Sequence, residues 1–245
     1  MSNETLYIYG KNPIKEAILS NKNLINKVYA TKETKQDKDI MALQNKYQCV
    51  FEEVTKEEIA HRVGKEVVHQ GICASLYGEN LFMSLQDVIA SAKDNDSIVV
   101  LDEIEDPHNM GAIIRSALAF GASAVVFGER NQSPVTGTVV KSSSGALFHI
   151  PLVKVSNISN AIETLKKEHF FVYALTGDGE VSLERAVFDT KTVFVVGGEG
   201  AGIRSKIKEH ADFRLSIPIN PACESLNASN AVAVALYEWK KQNKA

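Results

Sequence analysis

Three stretches in the second half of the chain combine polar side chains with glycine, proline or small residues. They are DPHNMGAIIRSALAFGA (106–122), VVGGEGAGIR (195–204) and SIPINPACESLNASNAVAVALYEW (216–239). Each lies at the end of an apolar run typical of a buried β-strand, and open parallel sheets bind ligands beyond the carboxyl ends of their strands. These stretches are therefore the candidate functional regions.

The first stretch places Asn109 just before a helix predicted over Met110–Phe120, with Arg115 on the flank of that helix among small residues. A six-residue separation does not put the two side chains on one helical face, although Asn109 can fold back over the first turn. One interpretation is a helix cap at Asn109 and a salt bridge at Arg115. The other is that the Arg115 guanidinium binds a phosphate or carboxylate as a fork.

The second stretch surrounds a single carboxylate, Glu199, with glycines. Glycines at such a junction let the backbone approach a ligand and turn its N–H groups toward it. The spacing matches neither the dinucleotide-binding nor the P-loop fingerprint. The alternatives are a plain turn with a solvated Glu199 and a loop that binds a cationic or hydroxyl-bearing ligand.

The third stretch places Ser225 and Asn227 before a helix whose AVAVAL segment leaves hardly any polar face. Such a helix is expected to be buried on most sides, within the subunit or against another. Ser225 is a candidate N-cap of this helix. Cys223 has no nearby His, so a buried structural thiol is expected rather than a nucleophile.

The elements that must position these residues follow two α/β alternations. Residues 1–77 are predicted to form a small β-α-β-α-β-α-β unit, in which Asn12 and Thr55 are candidate caps. Residues 78–96 are predicted to be a linker with a short helix capped by Ser84. Residues 97–245 are predicted to form a second α/β domain, whose apolar strands indicate a parallel sheet covered on both faces.

The composition limits the possible function. The net charge of -3 and the pI of about 6.1 mean that nucleic acid would be bound by local basic patches. The candidate basic residues lie in the first domain and are Lys27, Lys32, Lys35, Lys38, Arg62 and Lys65. A solvated surface is the simpler interpretation of these charges. Three cysteines without ligand spacing and no apparent signal or membrane segment favour a cytoplasmic protein that binds no metal and no membrane.

Taken together, the three stretches resemble the motifs of the SpoU (TrmH) branch of the SPOUT superfamily, S-adenosylmethionine-dependent RNA 2′-O-ribose methyltransferases. LDEIEDPHNMGAIIRSALAFGA resembles the first motif, VVGGEGAGI the second and IPINPACESLNASNA the third. The segment SSSGALFHIPL (142–152) also resembles a recurrent family segment. Pro221 and Ile219 depart from the Gly and Met that are usual in the third motif.

The first domain is similar to the family's L30e-like substrate-binding domain, with YIYGKNPIKEAI and HQGICA as its recognisable ends. The resemblance therefore implies this domain followed by a parallel-sheet α/β domain with a deep trefoil knot, in a homodimer. Two domains of this kind resemble the bacterial 23S rRNA guanosine type more than the tRNA branch. The tRNA branch, a catalytically silent RNA-binding protein and a nucleotide-dependent oxidoreductase are the alternatives.

The resemblance also implies the roles of individual residues. The implied catalytic set is Asn109, Arg115, Glu199, Ser225 and Asn227. The implied contacts to S-adenosyl-L-methionine are Thr176, Gly197, Gly198, Gly200, Ile217 and Leu226. Arg115 is expected to stabilise developing negative charge or anchor a phosphate, because a guanidinium stays protonated in proteins.

Overall fold

The computed structural model describes residues 5–243, and their contacts divide the chain into two units. Unit 1 combines the chain up to Phe82 with the segment Val135–His149, whereas unit 2 combines Met83–Pro134 with the chain from Ile150 onward. The first division falls inside the predicted linker. The segment Val135–His149, however, belongs by its contacts to unit 1, although the sequence predicts 97–245 as one continuous domain.

Unit 1 contains a four-stranded sheet in the order β1-β4-β2-β3, with β4 antiparallel to both neighbours and β3 parallel to β2. Its strands are β1 (Leu6–Tyr9), β2 (Ile25–Ala30), β3 (Phe51–Glu53) and β4 (Ile72–Leu76). Its helices before β4 are α1 (Lys11–Asn21), α2 (Lys32–Lys35), α3 (Lys38–Tyr47) and α4 (Lys56–Val63). The predicted alternation of strands and helices in this unit is confirmed.

The helix caps of unit 1 follow the sequence at one place and depart from it at another. Thr55 caps α4, since its hydroxyl accepts from the Glu58 N–H at 3.2 Å and the Glu58 carboxylate accepts from the Thr55 N–H at 2.8 Å. The predicted cap at Asn12 is wrong. Gly10, with φ of 93°, turns the chain directly from β1 into α1, so the helix already begins at Lys11.

The segment Val135–His149 packs in unit 1 through two glycines that leave no room for a side chain. A Cβ on Gly137 would lie 2.7 Å from Tyr9 Cε1, and one on Gly145 would lie 2.7 Å from Glu16 Cβ. Helix α7 (Gly137–Ser142) contacts β1, and His149 Nε2 lies 2.8 Å from Glu16 Oε2. These close contacts explain why the segment belongs to unit 1.

Unit 2 contains a seven-stranded sheet in the order β7-β6-β5-β10-β8-β11-β9, in which every pair of neighbours is parallel. The strands are β5 (Asp96–Asp102), β6 (Ala124–Gly128), β7 (Leu152–Val155), β8 (Phe171–Leu175), β9 (Val181–Ser182), β10 (Lys191–Gly197) and β11 (Phe213–Ser216). The helices are α5 (Leu85–Ser91), α6 (Pro107–Phe120), α8 (Ile158–Lys167), α9 (Ser205–Lys208) and α10 (Ala228–Gln242). The predicted parallel α/β domain is confirmed.

The core of unit 2 follows from the apolar strand sequences. All seven residues of β5 are buried, as are six of the seven in β10, because helices cover both faces of the sheet. The cap predicted at Ser84 is confirmed, since its hydroxyl accepts from the Asp87 N–H at 3.1 Å. None of the helices within residues 5–243 is long and apolar enough to cross a membrane.

The last helix, α10, is buried on one face only. That face consists of Ala228, Val232, Ala235, Leu236 and Trp239. The helix packs against α6, where the Phe120 and Tyr237 rings meet edge to face with centroids 6.0 Å apart. Its outer face exposes Val234 and Tyr237, at 42% and 58% of their full surface. Packing within the subunit therefore covers only one of the apolar faces of this helix.

Candidate functional site

The candidate site lies at one edge of the sheet of unit 2. Strands β5, β10, β8 and β11 are adjacent and parallel, so their carboxyl ends meet at this edge. Gly197 is the last residue of β10, Thr176 directly follows β8, and Ile217 directly follows β11. Three residues predicted to bind the cofactor from separate parts of the sequence thus occupy neighbouring strand ends.

The first turn of α6 is capped by Asp106, whose Oδ1 accepts from the His108 N–H at 2.8 Å. Pro107 takes the first helical position, where its missing N–H costs nothing. The prediction that Asn109 precedes and caps this helix is therefore wrong. Asn109 lies within the first turn, is 8% exposed, and uses its side-chain amide for contacts outside the helix.

Asn109, Glu199 and Asn227 form one hydrogen-bonded cluster, called the amide–carboxylate cluster below. The Nδ2 atoms of Asn109 and Asn227 both donate to Glu199 Oε1, at 2.9 and 2.6 Å. Asn227 Nδ2 also donates to Asn109 Oδ1 at 2.9 Å. One residue from each of the three candidate stretches is thereby joined at a single carboxylate.

The orientation of the Asn227 amide is set by the start of α10. Asn227 Oδ1 accepts from the Ser229 N–H at 2.9 Å and from the Ser229 hydroxyl at 2.6 Å, which caps the helix. With its oxygen turned to the helix, the amide presents its two N–H groups to Glu199 and Asn109. Ser229 was not among the residues predicted from the sequence, although a hydroxyl two residues after a capping Asn is a recognisable signal.

Two expectations for the loop before α10 are wrong. Ser225 does not cap the helix, because Asn227 is its N-cap and Ser225 lies exposed in the loop together with Leu226. Cys223 is exposed rather than buried, and its Sγ lies 3.3 Å from the Ser225 carbonyl oxygen. Residues 220–226 all lie on the surface, so this thiol has no core to enter.

The loop that carries Glu199 requires its glycines. A Cβ on Gly197 would lie 2.1 Å from the Gly202 carbonyl carbon, and one on Gly198 would lie 2.4 Å from the Glu103 oxygen. Gly200, with φ of 81°, has no heavy atom within 4 Å of an added Cβ, and Gly177, in the loop after β8, is equally open. The tight positions fix the loop, whereas the open ones leave bare backbone facing free space.

This backbone fits a ligand that is read through main-chain N–H and C=O groups. The predicted contacts Thr176, Gly198, Gly200 and Ile217 lie in the loops after β8, β10 and β11, and Gly197 is the last residue of β10. Gly177, which the sequence analysis missed, adjoins Thr176. Among residues 5–243, no group of three or more His, Cys, Asp or Glu side chains is placed to hold a metal ion.

A buried ion pair beside the site was also missed. Asp102, wholly buried at the end of β5, accepts from Arg204 Nε at 2.9 Å and from Arg204 Nη2 at 2.5 Å. The hydrogen bond to Asp102 is the main reason that the pKa of Arg204 is raised. A carboxylate directly after the apolar run IVVL (98–101) was the signal in the sequence, since a buried charge needs a partner.

Arg115 lies on the exposed face of α6, whereas Asn109 is buried. The prediction that the two do not share a helical face is confirmed. The amide–carboxylate cluster thus unites three of the five candidate catalytic residues. Arg115 and Ser225 are placed on the surface of unit 2.

The basic residues proposed to bind nucleic acid are partly neutralised within unit 1. Lys27 Nζ lies 2.9 Å from Glu52, and Lys35 Nζ lies 3.5 Å from Glu53. Arg62 stacks on the Tyr29 ring at 4.5 Å from its centroid. Lys32, Lys38 and Lys65 are exposed. Lys27 and Lys35, whose charges are already paired with carboxylates, are therefore less available to nucleic acid than the exposed lysines.

Comparison with known proteins identifies relatives of both parts of the chain. Residues 96–237 match the family model described as SpoU rRNA Methylase family, and residues 7–80 match that for RNA 2'-O ribose methyltransferase substrate binding. The chain is 33% identical over 244 residues to the uncharacterized tRNA/rRNA methyltransferase slr0955 of Synechocystis, covering 96% of this chain and 62% of that protein. It is 37% identical over 182 residues to the 23S rRNA (guanosine-2'-O-)-methyltransferase RlmB of Xanthomonas campestris, covering 74% of this chain and 73% of RlmB.

Among solved structures, the SpoU methyltransferase AviRb of Streptomyces viridochromogenes, in complex with its cofactor AdoMet, superimposes with a TM-score of 0.86. The sequences are 22% identical, and the match covers 97% of this chain and 90% of AviRb. The predicted fold class, a substrate-binding domain followed by a SPOUT α/β domain, is confirmed. The trefoil knot stays a prediction.

Proposed function

Since the chain belongs to the SpoU rRNA methylase family, we propose that it methylates the 2′-hydroxyl of a ribose in structured RNA, specifically a guanosine of 23S rRNA. The coarser activity, RNA methylation by a SpoU/TrmH-type enzyme, follows from the family itself. The observation that carries the proposal is the amide–carboxylate cluster, because it unites the polar residues of all three motifs at the strand ends of one sheet.

S-adenosyl-L-methionine is the cofactor, as in the relative AviRb, whose solved complex contains AdoMet. When bound, it would supply an electrophilic methyl group on a sulfonium for the ribose 2′-oxygen; the sulfur would leave as a neutral thioether, and the hydroxyl proton would pass to water. We assign its binding to the backbone of the loops after β8, β10 and β11, with Leu226 at the end of the third loop. The open backbone at Gly177 and Gly200 fits this role.

The amide–carboxylate cluster fixes a negative charge at the site. Two amide N–H groups hold Glu199 Oε1, so the carboxylate keeps one orientation. A carboxylate accepts hydrogen bonds from ribose hydroxyls or attracts a positively charged methyl donor. We assign Asn109, Glu199 and Asn227 to orienting the reactants, which is the main requirement of an in-line displacement.

We assign Arg115 to the RNA rather than to the cluster. Its exposed position on α6 suits a contact to a phosphate or to the developing 2′-oxyanion, whereas a guanidinium is a poor base. Ser225, exposed in the loop before α10, is assigned to the nucleotide. An Arg115→Lys variant with full activity would show that the fork geometry has no role.

The proposed assembly is a homodimer through the outer face of α10. This face exposes Val234 and Tyr237, and Tyr237 also contacts Phe120 of α6, the helix that carries Arg115. A second copy covering this face would bury apolar surface close to the site. Sedimentation of the wild type and of a Tyr237→Glu variant tests this arrangement, and a monomeric wild type would exclude it.

The experiment that tests the function is a map of 2′-O-methyl marks in total RNA from cells with and without the gene. Loss of one guanosine mark in 23S rRNA is the expected result. Loss of a tRNA mark would move the substrate to the tRNA branch. Calorimetry of S-adenosylmethionine binding distinguishes an enzyme from a silent RNA-binding protein, which would release no binding heat.

A further inference from the structure

The loop that carries Glu199 is tied at both ends to one residue. At its start, the Gly198 N–H donates to the Asp102 carbonyl oxygen at 3.1 Å. At its end, the Arg204 N–H donates to Asp102 Oδ2 at 2.9 Å. The five residues 199–203 between these two anchors therefore form a closed loop on the end of β5.

The Arg204 side chain reinforces the second anchor. Its Nε and Nη2 atoms both donate to Asp102 Oδ1, and Nη1 lies 3.2 Å from Glu103 Oε1. The Asp102 side chain is completely buried, whereas the Arg204 side chain is 48% exposed. The buried carboxylate thus takes three N–H donors from a single residue, an arrangement that a compact lysine ammonium cannot reproduce.

The loop has little freedom to shift within these anchors. Gly198 is packed against the Glu103 carbonyl oxygen, and the Gly202 N–H donates back to the Gly198 carbonyl at 3.0 Å. Asp102 is also the last residue of β5, and the chain runs from it into α6, which carries Asn109. Both partners of the Asn109–Glu199 hydrogen bond therefore extend from the same anchor.

We propose that Asp102 and Arg204 are positioning residues: their ion pair sets Glu199 against Asn109 and Asn227, and so controls the rate of methyl transfer. This inference rests on the proposed function. The side chains of Asp102 and Arg204 bond to each other, and that of Arg204 also to Glu103, so their effect reaches the cluster through the loop between Gly198 and Arg204. The competing interpretation is an ion pair that stabilises the fold and leaves the reaction unaffected.

Two substitutions separate these interpretations. Arg204→Lys keeps the charge beside Asp102 and loses the fork, whereas Arg204→Met also leaves the buried carboxylate without a cation. The matched control is Lys166→Met. Lys166 Nζ lies 2.7 Å from Asp212, a carboxylate that also accepts a backbone N–H, from Val172 at 2.8 Å, at the opposite edge of the same sheet.

The rate is measured at saturating cofactor and RNA, at a temperature well below each melting transition. We expect Arg204→Lys to slow turnover by about 10- to 100-fold, as small misplacements of catalytic groups do, and Lys166→Met to stay within about 2-fold of wild type. If Arg204→Met fails to fold, the lysine variant alone decides. Wild-type turnover in the Arg204→Lys variant would overturn the proposal.

A double-mutant cycle tests whether Arg204 acts through Glu199. In a Glu199→Ala background, Arg204→Lys should slow turnover by less than about 2-fold further, because the side chain it positions is gone. Slowdowns that multiply would show an independent role and overturn the proposal. A wild type that methylates no RNA would instead sink the proposed function.

Amide hydrogen exchange provides a readout that does not depend on activity. Arg204→Lys should speed exchange of the Gly198 and Gly202 amides by about 10-fold or more, while Lys166→Met leaves them unchanged. Unchanged protection of these two amides in the lysine variant would overturn the positioning role, whatever the enzyme's substrate.

Discussion

The Asn227→Asp substitution tests the direction of the hydrogen bonds in the amide–carboxylate cluster. Aspartate matches asparagine in size and is as good an N-cap, so the bonds from Ser229 that start α10 are retained. The Nδ2 atom of Asn227, a hydrogen-bond donor, is replaced by a carboxylate oxygen, a negatively charged acceptor. It then faces Glu199 Oε1 at 2.6 Å and Asn109 Oδ1 at 2.9 Å, neither of which can donate.

The size of the effect follows from these contacts. Loss of a hydrogen bond to a charged acceptor costs about 1.5 to 3 kcal/mol, and loss of one between amides about 1 kcal/mol. Repulsion between two carboxylates adds about 1 kcal/mol where water screens them, as at the exposed Glu199. Because partners relax and water enters, we expect a loss of about 2 to 4 kcal/mol in the free energy of unfolding.

Urea unfolding followed by fluorescence of Trp239 measures this loss. Trp239 is the only tryptophan of the chain and lies buried in α10, the helix that Asn227 caps. Methyl transfer should fall by about 100-fold or more, as for loss of a preorganised donor.

The control is Asn230→Asp, an exposed position in the first turn of α10 that receives the same charge without contacting the cluster. It should be neutral or slightly stabilising, since a negative charge near a helix N-terminus is favourable. If Asn227→Asp were as stable as this control, the Asn227 amide could not be donating to Glu199, and the reasoning would be refuted.

Three further predictions concern Ser229, Gly137 and the cysteines. Ser229→Ala should lower the free energy of unfolding by about 1 kcal/mol and slow methyl transfer several-fold, because the 2.6 Å hydrogen bond that orients the Asn227 amide is lost. Ser229→Thr keeps the hydroxyl and should restore the rate. Gly137→Ala should destabilise unit 1 by about 1 to 3 kcal/mol in urea unfolding, since its Cβ would lie 2.7 Å from Tyr9 Cε1; an unchanged midpoint would contradict this packing. An alkylating reagent at pH 8 should modify the exposed Cys223 first and Cys73 only after unfolding. The reason is that burial raises the pKa of Cys73 to about 12, so its thiol stays protonated. Mass spectrometry of the labelled peptides checks the order of modification.

Sequence patterns were reliable where structure depends on neighbouring residues. The apolar runs of β5 and β10 predicted buried parallel strands, and both strands are buried in a parallel sheet. The motif resemblance also selected Asn109, Glu199 and Asn227, which lie together in the structure. Residue type and local spacing were sufficient for the strands, whereas the choice of the three polar residues came from the family resemblance.

Patterns failed where several side chains could satisfy the same backbone group. Asp106 and Asn227 cap α6 and α10, whereas the sequence favoured Asn109 and Ser225, which lie two or three residues away. Nearby Asp, Asn and Ser residues have similar capping propensities, so only the path of the chain decides among them. The exposed thiol of Cys223 was missed for the same reason, because its burial depends on where the loop lies.

The sequence by itself determined the two α/β alternations, the buried strands and the polar residues available at their ends, since all of these are properties of contiguous segments. Tertiary structure alone decided that Asn109 meets Glu199 and Asn227, which are 90 and 118 positions away, and that Arg204 closes its loop on Asp102, 102 positions earlier. It also assigned Val135–His149 to unit 1. Hydrogen bonds and glycine contacts of this kind require remote segments to be positioned to within a few tenths of an ångström. Only the packed sheet and helices fix positions so closely.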